Sequence, residues 1–407
     1  MSTPRDPSAN AEITDDLAGA LAPAKAASTI ATRYIEDPRE LIVGHAVQLL
    51  RNGLEAFPAW LAAIESARVR ISLEMYIFSD DVIGRRFADA LIAAARRGVE
   101  VRLLYDFVGC RDTPGEFFDR MRGHGVHVIA YHRYRFWRPR FWALLRRNHR
   151  KSLVCDGRIA FAGGLNISNE WVHVDDGGGD WHDAAMQVEG PAVAAIEAIF
   201  LRTWNRRAKK WARLDPARLP APPPAGSTPL VVISNSEMRE RFTIRRAALH
   251  AVRESTRRVF LANPYFVPDR GILRALQEAA ARGVVINLLV PKHSDSRILD
   301  LAARATFGPL LAAGVRIWMT DNVIHTKALA VDDDFVSLGS YNFDHRSLAY
   351  NLEVVVNVLD VGYTTAVKKM LEDDMGANTE LTLATYQGRS LIERILERLA
   401  YSLRRWL

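Results

Sequence analysis

The sequence predicts an α/β protein made of two similar halves, with the active site between them on a pseudo-twofold axis. Three observations carry that expectation. An eighteen-residue pattern occurs twice, from His149 to Asn166 and again from His325 to Asn342. The apolar segments around it follow a β-α-β order that recurs later in the chain at a measurable offset. A proline-rich stretch separates the two copies.

In the first copy His149-Arg-Lys151 leads into an apolar strand, Asp156-Gly157 is a turn pair, and Ile-Ala-Phe-Ala is the return strand that ends in Gly163-Gly164. The second copy places His325, Lys327, Asp332, Gly339 and Ser340 at the same spacing. Residues two apart on a strand share a face, so each copy offers an imidazole beside an ammonium. The return strand brings Asn166 or Asn342 back towards them, and the glycine positions are expected to let a ligand approach the backbone. Asp156 and Asp332 follow their histidines by seven, an odd separation that falls at the turn. They are read as turn formers ahead of catalysts, while counting among the motif's catalytic candidates.

Taken in order, residues 1–40 are rich in Ala, Pro, Ser, Thr and Asp without strong periodicity, which predicts a mobile tail. From Ala46 to Ala67 the apolar spacing is helical, through Val47, Leu50, Leu54, Phe57, Leu61 and Ile64. Val69 to Phe78 is β-branched and aromatic and predicts a strand; a helix over 82–97 closes at Gly98, and a second strand follows to Tyr105. Tyr76 and Tyr265 lie 189 residues apart, as do Val126 and Val315, whereas His149 and His325 lie 176 apart. The first half therefore carries thirteen extra residues before its motif, within Tyr131–Arg147. That insertion is basic, aromatic and free of acids, which suits a lid or rim that meets a phosphate-bearing interface. A loop packing its aromatics on its own domain is the alternative.

Arg202–Arg213 is a second acid-free basic run, read evenly as a solvated helix end or an anion site. Residues 214–229 hold six prolines and form a linker between a first half, 41–213, and a second half, 230–407. The chain ends in an amphipathic segment, Leu391–Leu407, of a kind that docks on its own domain or lies on a membrane.

Composition sets wider bounds. A chain of 407 residues is long enough for two ordinary domains. Its 54 basic and 47 acidic side chains give a mild bias towards anionic partners without separating membrane from nucleic acid. Cys110 and Cys155 are expected as buried reduced thiols, and neither has metal-ligand spacing. Asp6, Glu12, Asp15 and Asp16 interrupt any signal-peptide-like start. No run approaches the ~18–20 apolar residues of a membrane span, so a lipid substrate would be met at the surface.

His-x-Lys-x4-Asp-x6-Gly-(Gly/Ser)-x-Asn, present twice, resembles the signature of the phospholipase D superfamily. Around the second copy, Asn342-Phe-Asp-His-Arg346-Ser347-Leu-Ala-Tyr-Asn351-Leu-Glu353 is more narrowly similar to the bacterial cardiolipin synthases of the short type without spans. The resemblance runs from about Gly44 to the C-terminus. It implies two phospholipase D-like α/β sandwich halves and a covalent phosphohistidine intermediate, formed by one histidine while the other protonates the leaving group. By that analogy His149 is the nucleophile and His325 the acid and then the base, with the reverse assignment open.

A phosphodiester needs a nucleophile, cations for its equatorial oxygens and an acid for the leaving alkoxide. Two imidazoles divide the first and third tasks. Lys151, Lys327, Asn166 and Asn342 are placed to hold the phosphoryl oxygens, and no metal or cofactor is called for. Each histidine also needs an acceptor on its far nitrogen. Glu353, 28 residues after His325, is the candidate on that side, and Asp183 the candidate in the first half, with Glu170 a weaker alternative. The leading expectation is a phosphatidyl transfer from phosphatidylglycerol to a glycerol-headgroup hydroxyl, at the cytoplasmic face of a bacterial cell membrane, with an anionic membrane surface as the partner and no obligate protein partner. A hydrolytic phospholipase D and a nuclease are the alternatives; nucleic acid is the less favoured ligand.

Overall fold

The structure, a computed structural model, describes residues 32–132, 146–209, 213–215, 220–235, 240–376 and 378–406. Residues 1–31 of the expected tail and 133–145 of the basic-aromatic insertion lie outside the described residues. The first half supplies β1 (Ile42–Arg51), β2 (Arg70–Met75), β3 (Glu100–Asp106), β4 (His127–Tyr131), β5 (Ser152–Cys155), β6 (Ile159–Gly163) and β7 (Ala184–Glu189). The second supplies β8 (Thr228–Ser234), β9 (Arg258–Ala262), β10 (Val285–Pro291), β11 (Arg316–Thr320), β12 (Ala328–Val331), β13 (Phe335–Gly339), β14 (Val354–Leu359) and β15 (Thr379–Leu381).

These strands form one sheet in the order β15-β11-β10-β9-β12-β13-β14-β8-β1-β7-β6-β5-β2-β3-β4. With β15 set aside, the order reads alike from both ends when each strand is matched to its repeat. The antiparallel β1–β8 pair is thus the centre of the pseudo-twofold relation. On either side of it β2, β3 and β4 pair in parallel, as do β9, β10 and β11, which reflects the β-α-β order of the sequence.

The helices are α1 (Asn52–Ser66), α2 (Val82–Arg96), α3 (Gly115–Gly123), α4 (Ala192–Asn205), α5 (Thr243–Glu254), α6 (Arg270–Ala281), α7 (Arg297–Ala312), α8 (His345–Ala349), α9 (Val361–Gly376), α10 (Leu383–Gln387) and α11 (Leu391–Ser402). Trp60 of α1, Phe87 of α2 and Phe118 of α3 bury against one face of the first half, and Ile244, Leu276 and Phe307 do the same in the second. On the opposite face Ile196 of α4 and Val367 of α9 share a single core with Val188, Leu230, Val336 and Val356. A core drawn from both halves removes apolar surface from water only when the halves stay together, and this fixes the site they form.

Residues 46–51 depart from the helical expectation. They belong to β1, and the helix begins at Asn52. The spacing Val47, Leu49, Leu50 fits either period, and antiparallel pairing of Ala46–Arg51 with Glu189–Ala184 of β7 draws the stretch into the sheet, so tertiary pairing decides. Cys110 and Cys155 are buried free thiols.

The two motif hairpins form as expected, β5 with β6 and β12 with β13. His149 and Lys151, like His325 and Lys327, sit just before the first strand of each. The motif aspartates stand at the turns, where backbone amides occupy both carboxylates. Asp156 and Asp332 adopt left-handed backbone, φ 54° and 49°. Asp156 accepts from the amides of Arg68, Val69 and Arg70, and Asp332 from those of Thr256, Arg257 and Arg258, so each carboxylate ties its turn to the start of the neighbouring strand. Asp332 takes two further donors at the start of the described chain, the Tyr34 hydroxyl at 2.7 Å and Arg33 at 2.9 Å. Tyr34 is buried there, a contact with no signal in the sequence.

Candidate active site

The four motif cations and imidazoles converge where the halves meet, and all four are buried. What orients them comes from the opposite half. Asn148 forms a parallel bridge with Leu352, and Ile324 one with His182. The amide of His149 donates to the Leu352 carbonyl at 3.0 Å, and that of His325 to the His182 carbonyl at 2.7 Å. Each bridge sets the next residue on one chain beside the next on the other. His149 Nδ1 therefore lies 3.0 Å from Glu353 Oε1, and His325 Nδ1 lies 2.5 Å from Asp183 Oδ2.

This corrects the expected pairing. Glu353 was expected to serve His325 and Asp183 to serve the first half, each within its own half; the structure crosses them. Sequence distance favours the nearer carboxylate, whereas the bridge register, which only the assembled sheet contains, selects the farther one. Glu170 is exposed on a 3-10 turn and takes no part in either pair.

Both carboxylates are clamped. Glu353 accepts from the hydroxyls of Ser340 and Ser347 and from Asn351 Nδ2, while Asn235 Oδ1 receives the Glu353 amide. Asp183 accepts from Trp171 Nε1 at 3.1 Å and from the Ala184 amide at 2.8 Å. A carboxylate fixed this way favours the Nδ1–H tautomer of its histidine, which leaves the lone pair on Nε2. Tyr76 stands edge-on to His149, with ring centres 4.9 Å apart, and Trp171 and Trp181 flank His325 at 5.3 and 5.5 Å. Ser347 and Asn351 lie in the run that resembles cardiolipin synthases, but their task as clamps was not legible; neither was that of the tryptophans.

Lys151 Nζ donates to the His149 carbonyl at 2.8 Å, and Lys327 Nζ to that of His325. Burial alone would raise both carboxylates. A unit charge 4 Å away is worth about 4 kcal/mol at an effective dielectric near 20, so paired cations prevail. Asp183, beside Lys327 and His325, and Glu353, beside His149 and Lys151, end below their ordinary ranges. Burial pulls His149 down to about 4 against the opposing field of Glu353, and His325 to about 3 with Lys327 adding to the effect. Lys151 falls well below its usual range, through burial and then the charge of Lys327.

The site thus joins two carboxylates held below their ordinary range to two imidazoles that burial holds below theirs. An anionic phosphodiester supplies the opposite field and raises the imidazoles, so substrate binding itself favours the protonated acid.

Lys327 is brought to about 8 by burial, against Asp183. It is charged below that pH and neutral above it. Turnover of a phosphodiester is accordingly expected to lose kcat/KM above about pH 8, roughly tenfold per unit, and Lys327→Arg to move that limb upward because guanidinium stays charged. A pH profile of kcat/KM checks both.

The paired glycine and serine positions have different uses from the one expected. A Cβ on Gly164 would stand 2.2 Å from Asp183 Oδ1, so this glycine admits the carboxylate of its own half, not a ligand. At the equivalent position Ser340 donates its hydroxyl to Glu353. Gly164→Ala is expected to push Asp183 off His325 and lower kcat by about 10–100-fold while Tm moves little, measured by kinetics beside thermal unfolding.

Asn166 is occupied with structure, its Oδ1 accepting from the Ile77 amide at 3.0 Å, whereas Asn342 Oδ1 is buried without a partner among the described residues. Of the basic run 202–213, Arg207 stacks on the Tyr131 ring at 4.8 Å, and residues 210–212 lie outside the described residues. Among the described residues no helix is long and apolar enough to cross a membrane.

The chain is similar to known proteins over most of its length. A family model described as "Cardiolipin synthase, PLD-like domain" matches residues 60–204 and 248–375, one block per half. "Cardiolipin synthase A" of Pseudomonas putida is 32% identical over 362 residues, covering 88% of this chain and 74% of the relative. "Major cardiolipin synthase ClsA" of Bacillus subtilis is 31% identical over 355 residues, covering 87% and 73%. Among solved structures, phosphatidylserine synthase of Haemophilus influenzae Rd KW20 superposes with a TM-score of 0.67 at 12% identity, covering 92% of this chain and 97% of that one, a likeness of fold.

Proposed function

Since the chain belongs to the phospholipase D superfamily, among its cardiolipin synthase-like phosphatidyltransferases, we propose that it moves a phosphatidyl group from phosphatidylglycerol to the hydroxyl of a glycerol headgroup, yielding cardiolipin and glycerol. The observation that carries the chemistry is the crossed pair of carboxylate-bound imidazoles within one buried, cationic site.

His149 Nε2 attacks phosphorus, and a P–N bond forms as the P–O bond to the leaving glycerol breaks. The departing alkoxide takes a proton from His325. The acceptor hydroxyl then gives its proton to His325 and attacks phosphorus, and the P–N bond breaks. Lys151 and Lys327 hold charge on the phosphoryl oxygens throughout, with Asn342 as a further polar contact. Water in the acceptor's place would give phosphatidic acid, so exclusion of water from a site this buried favours transfer.

Mass spectrometry of products from phosphatidylglycerol vesicles tests the reading. Cardiolipin with stoichiometric glycerol is expected. Phosphatidic acid as the product would make the protein a hydrolase, and cleavage of nucleic acid with no lipid product would overturn the lipid reading.

A further inference from the structure

Helix α11 is built inside out. Ser390 and Glu393 close a capping box at its start, so the helix is locally well specified. Its inner side is narrow, formed by Glu397, Ala400 and the half-buried Tyr401. Glu397 is buried and paired with Arg389, and Ala400 reaches the core of the second half. The apolar stripe, by contrast, turns outward. Leu391, Ile392, Ile395, Leu396 and Leu399 are 46–70% exposed, and Leu403 and Trp406 continue the stripe at 47% and 75%. A helix held only by its domain turns such a stripe inward, and an apolar patch left open on this scale marks a surface that is covered in use.

We propose that this stripe docks the enzyme on an anionic lipid bilayer, an inference that rests on a lipid being the substrate. The charge around it favours lipid over a second copy of the chain. Arg394 and Arg398 are exposed and flank one edge of the stripe. Of the two acids of the helix, Glu397 is buried and paired with Arg389, and Glu393 is an exposed carboxylate held in the capping box, outnumbered by Arg394, Arg398, Arg404 and Arg405. The net offer to a partner is therefore apolar with a cationic border, which matches acyl chains beneath phosphate headgroups. A copy of the same stripe would bring those arginines together.

Position supports the same occupant. A cavity of about 440 Å³ lies at the C-terminal end of the helix, with Arg404 and Arg405 on one wall and Tyr341, Asp344 and His345 on another. Tyr341 lies between Ser340 and Asn342 of the second motif. The C-terminal end of the helix thus shares an arginine-bordered cavity with the segment that follows the second motif strand.

The test compares the protein with the triple variant Ile392→Ser, Leu396→Ser, Leu399→Ser, none of which touches the site. Sedimentation with vesicles of phosphatidylglycerol and phosphatidylcholine is expected to show the parent bound and the variant weakened roughly 100-fold or more, given ~0.8 kcal/mol for each buried methylene. Turnover of dispersed short-chain phosphatidylglycerol is expected to be equal in the two, which also shows that the variant is folded. Equal vesicle binding by parent and variant would overturn the proposal. So would a parent dimer that the variant converts to monomer without change in vesicle binding. If neither protein turns over any lipid but only the parent sediments, the transfer reading falls while the docking surface stands.

Discussion

His149→Ala is expected to remove at least about 10⁴-fold of kcat, because it deletes the proposed nucleophile on which the phosphoenzyme forms. His325→Ala is expected to lose about 10²–10⁴-fold on phosphatidylglycerol, the worth of a positioned acid. The two differ in rescue. A phosphatidyl ester of p-nitrophenol has a leaving group that needs little protonation, so the first step in His325→Ala should recover on it as a burst of p-nitrophenol, while His149→Ala stays inactive. The opposite pattern would exchange the two roles. The double variant is expected to be barely worse than His149→Ala alone, since both residues serve one reaction path.

The crossing of the carboxylates carries the second large expectation. Glu353→Gln and Asp183→Asn keep shape but remove the charge that fixes the tautomer and favours an imidazolium, so each is expected to lower kcat by about 10²–10⁴-fold. Which histidine each variant disturbs is the sharper measurement. In proton NMR, Glu353→Gln should abolish the downfield Nδ1 proton of His149 and leave that of His325, and Asp183→Asn should do the reverse. Loss of the His325 signal in Glu353→Gln would mean pairing within each half and would contradict the bridges at Asn148–Leu352 and His182–Ile324. Removal of the charge also exposes the dependence of each half on the other: neither half alone contains an oriented imidazole.

The sequence by itself determined the duplicated α/β architecture, the two hairpins and the four groups at the centre of the site. Those features rest on local spacing: a histidine two before a lysine, a turn residue at a fixed distance, a β-α-β order that repeats. The pairing of His149 with Glu353 and His325 with Asp183 belongs to the tertiary structure alone, because it depends on two short parallel bridges between distant segments that no spacing encodes. The use of Gly164 follows from the same packing, since the glycine is required by a carboxylate nineteen residues away and not by a ligand. Residues 46–51 were ambiguous for a related reason: an apolar run of that length fits either period until a neighbouring strand, here β7, claims its backbone. The last helix is the reverse case. Its amphipathic pattern was plain in the sequence, yet periodicity fixes only that two faces differ, and the direction each faces was decided by the burial of Glu397 and Ala400 against the second half.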